Sequence, residues 1–187
     1  MTDVRLRGMP SLPWFSSFPE LNVRTYVTVN GKPGVYFFSL DAASRVAVVA
    51  ARAWYHLPYF HATMRCTGDA GGGGIQYSSR RTDRRGAPAE LIANYRPTEQ
   101  TPLQDNVIAR WLTERYCLYT TNRTGMLFCG DIHHRQWPLQ PAGAEIQKNT
   151  MMTAAGISPI RTEPLLHFSR RLDVLIWPLK PCRCTIS

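Results

Sequence analysis

The sequence predicts an α+β fold built mainly on antiparallel strands. Two observations carry that prediction. Segments with two-residue alternation of apolar and polar residues outnumber those with a 3.6-residue period, and most successive strand-like segments are joined by short turn sequences. The chain has 187 residues, of which 44% are hydrophobic and 19% charged. It is read as one soluble globular domain over 1–187, long enough to bury roughly 70% of its unfolded surface. No apolar run reaches the roughly 20 residues of a membrane span, and MTDVRLRGMPSLPW lacks a secretory hydrophobic stretch. A cytoplasmic protein with no membrane partner is expected.

Residues 21–30 alternate Val23, Thr25, Val27 and Val29 against Asn22, Arg24, Tyr26 and Thr28, the pattern of a strand. Asn30-Gly31-Lys32-Pro33-Gly34 is turn chemistry, so 35–40 returns as the second arm of a hairpin. Asp41 is expected to cap a helix with Val46, Val49, Ala50, Ala53, Trp54 and Leu57 inward, stopped by Pro58. Strands 60–67, 75–80 and 89–96 follow as a meander, the first two flanking a glycine run at 71–74. A second helix is expected over 102–114, with Val107, Ile108, Trp111 and Leu112 inward, then a hairpin of 116–120 with 126–132. Trp137-Pro138-Leu139-Gln140-Pro141 is a stiff connection, 145–155 a short helix stopped by Gly156, and 165–179 a long final strand.

Charge is lopsided: 22 basic residues against 13 acidic give +9, and only Lys32, Lys148 and Lys180 are lysine. The arginines are dispersed except for Arg80, Arg81, Arg84 and Arg85. That run lacks the interleaved aromatics of single-strand binders, so it reads as a solvated loop and the balance is against nucleic acid. The cysteines at 66, 117, 129, 182 and 184 are odd in number and have no zinc-ligand spacing. Cys66, Cys117 and Cys129 are therefore expected as buried thiols, with no metal and no cofactor. Phosphate-loop, dinucleotide, nucleophile-elbow and zinc-protease motifs do not occur.

Candidate chemistry comes from the polar faces of the strands. Residues 165–179 oppose His167, Ser169, Arg171 and Asp173 to an apolar set, 21–30 carries Asn22, Arg24 and Tyr26, and Asp131 and His133 share a face. In a one-sided sheet these faces meet water. In a sheet curled into a barrel they line a pocket for a small anion or carbonyl compound. There Arg24 and Arg171 would grip a carboxylate, with Tyr26 and His167 beside them, and His133 or His167 would move a proton near neutral pH.

Several stretches carry a family resemblance. Phe18-Pro-Glu-Leu-Asn-Val-Arg-Thr-Tyr-Val27, Leu57-Pro-Tyr-Phe-His-Ala62, Ile132-His-His134 and Leu166-His-Phe-Ser-Arg-Arg-Leu-Asp-Val174 resemble the YqjF-like family of uncharacterised bacterial proteins, a domain of unknown function. The similarity runs from about Val4 to Leu179. The hairpin, Asp41-Ala-Ala and a helix ending Arg52-Ala-Trp54 before Pro58 also resemble acetoacetate decarboxylase more distantly. In that family a Pro-Lys-Lys stretch follows, whose first lysine forms a Schiff base with a keto acid while its neighbour depresses its pKa. Here Tyr59 and Phe60 follow Pro58. The resemblance thus implies a cone or barrel with two or three flanking helices, but no Schiff-base mechanism.

It also places Glu20 as a pocket glutamate and points to Glu20, Tyr59, His61 and His133 for acid–base work on a small carbonyl or carboxylate compound. The alternatives are a non-catalytic binding or scaffold domain and nucleic-acid binding through 80–85. Self-association into a homo-oligomer is left open. The family begins with a segment before Val4-Arg-Leu-Arg-Gly8, so the resemblance implies that N-terminal strands are missing.

Overall fold

A computed structural model of the chain describes residues 4–6, 18–69, 74–99, 101, 103, 106–159 and 162–182. The glycine run at 71–73 and the start of the expected second helix lie outside them. Among the described residues are twelve strands and three helices. The strands are β1 (Val4–Leu6), β2 (Glu20–Val29), β3 (Lys32–Ala42), β4 (Tyr59–Asp69), β5 (Gly74–Arg81), β6 (Glu90–Pro97), β7 (Cys117–Thr121), β8 (Leu127–His134), β9 (Gln140–Asn149), β10 (His167–Phe168), β11 (Val174–Ile176) and β12 (Lys180–Pro181). The helices are α1 (Arg45–Tyr55), α2 (Val107–Thr113) and α3 (Met151–Ala154).

All strands join one mixed sheet in the order β1-β11-β8-β7-β3-β4-β5-β6-β9-β10, with β2 also on β3 and β12 on β8. Most pairings are antiparallel, as expected, and the meander β4-β5-β6 and hairpin β7-β8 form. The β2–β3 hairpin turns through Asn30 (φ 49°) and Gly31 (φ 75°), two left-handed residues that match the twist of the arms. Strand β3 is central, running parallel to both β4 and β7. A parallel neighbour in sequence requires a crossover, and α1 supplies it between β3 and β4. Gly34 permits the β3–β7 approach, because a Cβ there would stand 2.5 Å from the Cys117 carbonyl oxygen. The core gathers around this junction in Val35, Leu40, Ala42, Ala62, Leu118 and Tyr119.

Five expectations are corrected. Asp41 does not cap α1. It ends β3 as a fully buried residue, and Ser44 is the cap, its Oγ accepting from the Ala47 N–H at 3.3 Å. The two long helices rotate their periodic apolar residues outward. Ala47, Val48 and Ala109 are buried, while Val46, Val49, Trp54, Val107, Ile108 and Trp111 are exposed. Residues 145–149 are strand, paired with β6, and only Met151–Ala154 is helical. The expected long strand 165–179 breaks into β10 against β9 and β11 against β8, so its residues share no common face. Of the three cysteines expected to be buried only Cys117 is; Cys66 is exposed and Cys129 half-buried.

Candidate functional site

The first polar cluster forms where β2 begins beside the start of β4. Tyr59, the first residue after Pro58 stops the helical exit, donates its hydroxyl to Glu20 Oε2 at 2.6 Å. Tyr77 on β5 donates to the Glu20 carbonyl oxygen at 3.0 Å. Glu20 is exposed as a residue, with protein atoms crowding its carboxyl. Burial raises its pKa, and the hydrogen bonds from Tyr59 and Asn22 offset only part of that rise. Tyr59 is pushed well above the usual phenol range, by burial first and by the adjacent Glu20 second.

Beneath this cluster lies an ion pair that the sequence reading assigned elsewhere. Arg81 donates Nε to Asp41 Oδ1 (2.7 Å) and Nη2 to Oδ2 (2.9 Å), with side chains 2% and 0% exposed. Its remaining Nη1 donates to the Ala87 carbonyl, and the guanidinium lies 4.1 Å from the centre of the Phe60 ring. Arg81 is thus not part of a solvated arginine loop. The alternation of β3 and β5 puts Ser39 two residues from Asp41 and Ser79 two residues from Arg81. Both serines are 1% exposed, and among the described residues neither hydroxyl has a hydrogen-bond partner.

A cleft of about 730 Å³ is lined from Leu21, the residue after Glu20; it includes Asn22, which hydrogen-bonds the Glu20 carboxyl, but neither Glu20 nor Tyr59 lines it. Its wall takes five consecutive residues of β2, Leu21 to Thr25, where a regular strand would offer alternate ones. Ordinary alternation puts Arg24 on the same face as Asn22, against apolar walls from Phe38, Leu91, Trp137 and Met151. Opposite them β3 carries a bulge: Val23 pairs with Ser39 but Arg24 with Phe37, leaving Phe38 as an extra residue.

The structure therefore brings Glu20 and Tyr59 together and places Arg24 in the adjoining cleft. It does not bring the other candidates there. His61 lines a separate cleft against α1. His133 is exposed on β8 opposite Leu175, His167 pairs with Pro141 at the edge strand β10, and exposed Arg171 bonds to Asp173. Tyr26 packs on Trp111, with ring centres 5.1 Å apart. Sequence reasoning missed Tyr77, Ser39, Ser79 and the Asp41–Arg81 pair. The alternation of Tyr77, Ser79 and Arg81 along 75–81 was the signal available for three of them.

The family's sequence profile, described as an uncharacterized conserved protein, matches residues 1–173. This chain belongs to the DUF2071 family. The uncharacterized protein YqjF of Bacillus subtilis (strain 168) is 48% identical over 181 residues, covering 96% of this chain and 73% of that protein. Among solved structures, acetoacetate decarboxylase from Legionella pneumophila superposes with a TM-score of 0.58 at 12% identity, over 92% of this chain and 70% of that one. The enduracididine biosynthesis enzyme MppR, solved in complex with pyruvate, superposes with a TM-score of 0.51 at 11% identity, over 87% and 62%. This chain thus shares the acetoacetate decarboxylase fold. Among the described residues no helix is long and apolar enough to cross a membrane.

The three lysines of this DUF2071 chain lie at its surface. Lys32 is bound to Asp131 at 2.5 Å, Lys148 to Glu90 at 2.7 Å, and Lys180 is exposed on β12. The Asp131 hydrogen bond raises the pKa of Lys32, the reverse of what a nucleophilic amine needs.

Proposed function

We propose that the domain binds a small carbonyl or carboxylate compound in the cleft beside Glu20, without forming a Schiff base. The observation that carries this reading is a cleft holding Arg24 and Asn22, with Asn22 bonded to the Glu20 carboxyl that accepts from Tyr59 at 2.6 Å. Arg24 supplies the two-pronged donor that a carboxylate selects, and the apolar walls take a short carbon chain. Glu20 retains a proton to higher pH than an ordinary carboxyl, and Tyr59 can bond the carbonyl oxygen or the carboxylate as the proton moves. The buried hydroxyls of Ser39 and Ser79 add polar valence to the interior behind the pair. That a protein of the same fold was solved with pyruvate supports the ligand class.

A thermal-shift screen of 2- and 3-keto acids and lactones tests the reading. At least one should stabilise the wild type, Arg24→Ala should abolish the shift, and Tyr59→Phe should reduce it about tenfold in affinity. Borohydride with the bound keto acid should leave no covalent adduct. A trapped lysine adduct, or no stabilising compound in the series, refutes the proposal. Loss of the keto acid with time in the same samples would extend it from binding to turnover.

A further inference from the structure

His61 stands two residues beyond Tyr59 but belongs to other surroundings. The first turns of α1 and the 82–85 turn enclose a cleft of about 290 Å³ lined by Arg45, Val48, Val49, His61, Thr82, Asp83 and Arg85. Arg45, Val48, Val49 and Arg52 fall at the spacing of one helical stripe, so α1 turns its cationic side toward the turn.

The groups around His61 are arranged and largely spoken for, which reveals what is left over. The Thr82 hydroxyl donates to the His61 carbonyl at 3.3 Å and also meets His61 Nδ1 at 2.8 Å. A hydroxyl has one proton, so it accepts from Nδ1–H, an assignment by bonding that fixes the tautomer. The ring's other nitrogen, Nε2, has no partner among the described residues.

Asp83 is the one carboxylate in the cleft, and both its oxygens are occupied. It accepts from the His61 backbone N–H at 3.2 Å, from the Arg85 backbone N–H at 3.1 Å, and from Arg85 Nε and Nη2 at 2.8 and 2.5 Å. Its side chain is 7% exposed while that of Arg85 is 51% exposed. Asp83 therefore positions Arg85 instead of offering charge to a ligand. Arg52, whose Nη1 donates to the Tyr59 carbonyl at 2.9 Å, lies within electrostatic range of Arg85 and Arg123. Against these cations the surroundings set Asp83 alone, so the positive field exceeds its counter-charge.

We infer that this cleft is a binding site for a tetrahedral oxyanion, the phosphate group of a small phosphorylated compound, held by Arg45, Arg85 and His61 Nε2. Donors converge from a helix, a turn and a strand, which suits a group with three terminal oxygens better than a planar carboxylate. The site is independent of the Glu20 cleft and of the keto-acid reading. Nε2 shares a proton with a phosphate oxygen, accepting from P–OH or donating to P–O−.

Isothermal titration of the full chain with inorganic phosphate, against chloride at matched ionic strength, tests this. Saturable phosphate binding is expected, with chloride failing to compete at the same ionic strength. Arg45→Ala and His61→Ala should each weaken it about tenfold. Glu20→Gln should leave it unchanged, which separates this site from the other proposal. Acetate equal to phosphate, wild-type affinity in both variants, or binding only of oligonucleotides with steep salt dependence would overturn the assignment.

Discussion

Tyr59 and His61 lie on one strand, two residues apart, and meet opposite chemistry. Tyr59 faces a carboxyl that burial makes reluctant to ionise, in surroundings supplied by β2 and β5. His61 faces guanidiniums and a fully ionised, saturated Asp83, supplied by α1 and the turn after β5. Phe60 separates them, its ring laid on Arg81 from the other side of the strand. The strand sets the spacing, but the character of each side chain is set by what the neighbouring elements bring to it. A proton-handling pair and a cationic cleft can thus stand side by side without sharing a group.

The largest effect should come from the ion pair beneath both. Asp41→Ala leaves Arg81 buried and unpaired and should cost about 3–5 kcal/mol in urea denaturation. Because Phe60 rests on Arg81, ligand responses of both clefts should fall together in this variant. An Asp41→Ala, Arg81→Met double variant should recover much of the loss. Ser44→Ala removes the cap of α1 and should cost about 1 kcal/mol. It should loosen phosphate binding while keto-acid binding holds, and an equal loss at both would break the comparison.

Asp83→Asn should cost less than about 1 kcal/mol, since its partner Arg85 is half exposed. Hydrogen bonding from Arg85 holds the Asp83 pKa well below its ordinary 3.8. Its contribution is therefore complete above that value and lost as pH falls below it, and melting curves of variant and wild type should converge in acid. Glu20→Gln gives the smallest effect, with the opposite sign. The folded pKa of Glu20 is raised above 4.5, so folding opposes its ionisation. The variant should melt higher than wild type at neutral pH, and the gain should vanish as pH drops below about 4.5. A destabilised Glu20→Gln at neutral pH would show that the carboxylate is favoured where it stands.

The strands were legible where alternation and turn residues agreed, as at Asn30-Gly31 and along 60–96. The helices were legible as helices but not in their facing. In α1 the larger apolar residues Val46, Val49 and Trp54 define a periodic stripe, yet close packing against the sheet is met by Ala47 and Val48. A stripe chosen by hydrophobicity alone has no means of sensing that requirement. Residues 145–149 were misread because their support is non-local, a ladder with β6 some fifty residues earlier. The division of 165–179 has the same origin, in two different partner strands. Glu20, Tyr59 and Arg24 can be named from the sequence, whereas Asp41 reads as a cap because a lone Asp before a helix usually is one. Its partner forty residues away decided otherwise.

Phe38 has a role out of proportion to its place. As the extra residue of the bulge it sets the phase between two halves of the longest hairpin, 20–23 with 39–42 and 24–29 with 32–37. Deleting Phe38 would rotate one half of the hairpin by a full side-chain step, carrying either the walls of the Glu20 cleft or the Gly34 contact to the wrong surface. In this chain the residue count at position 38 decides which way half the hairpin faces, and a single-codon deletion there acts as an inversion.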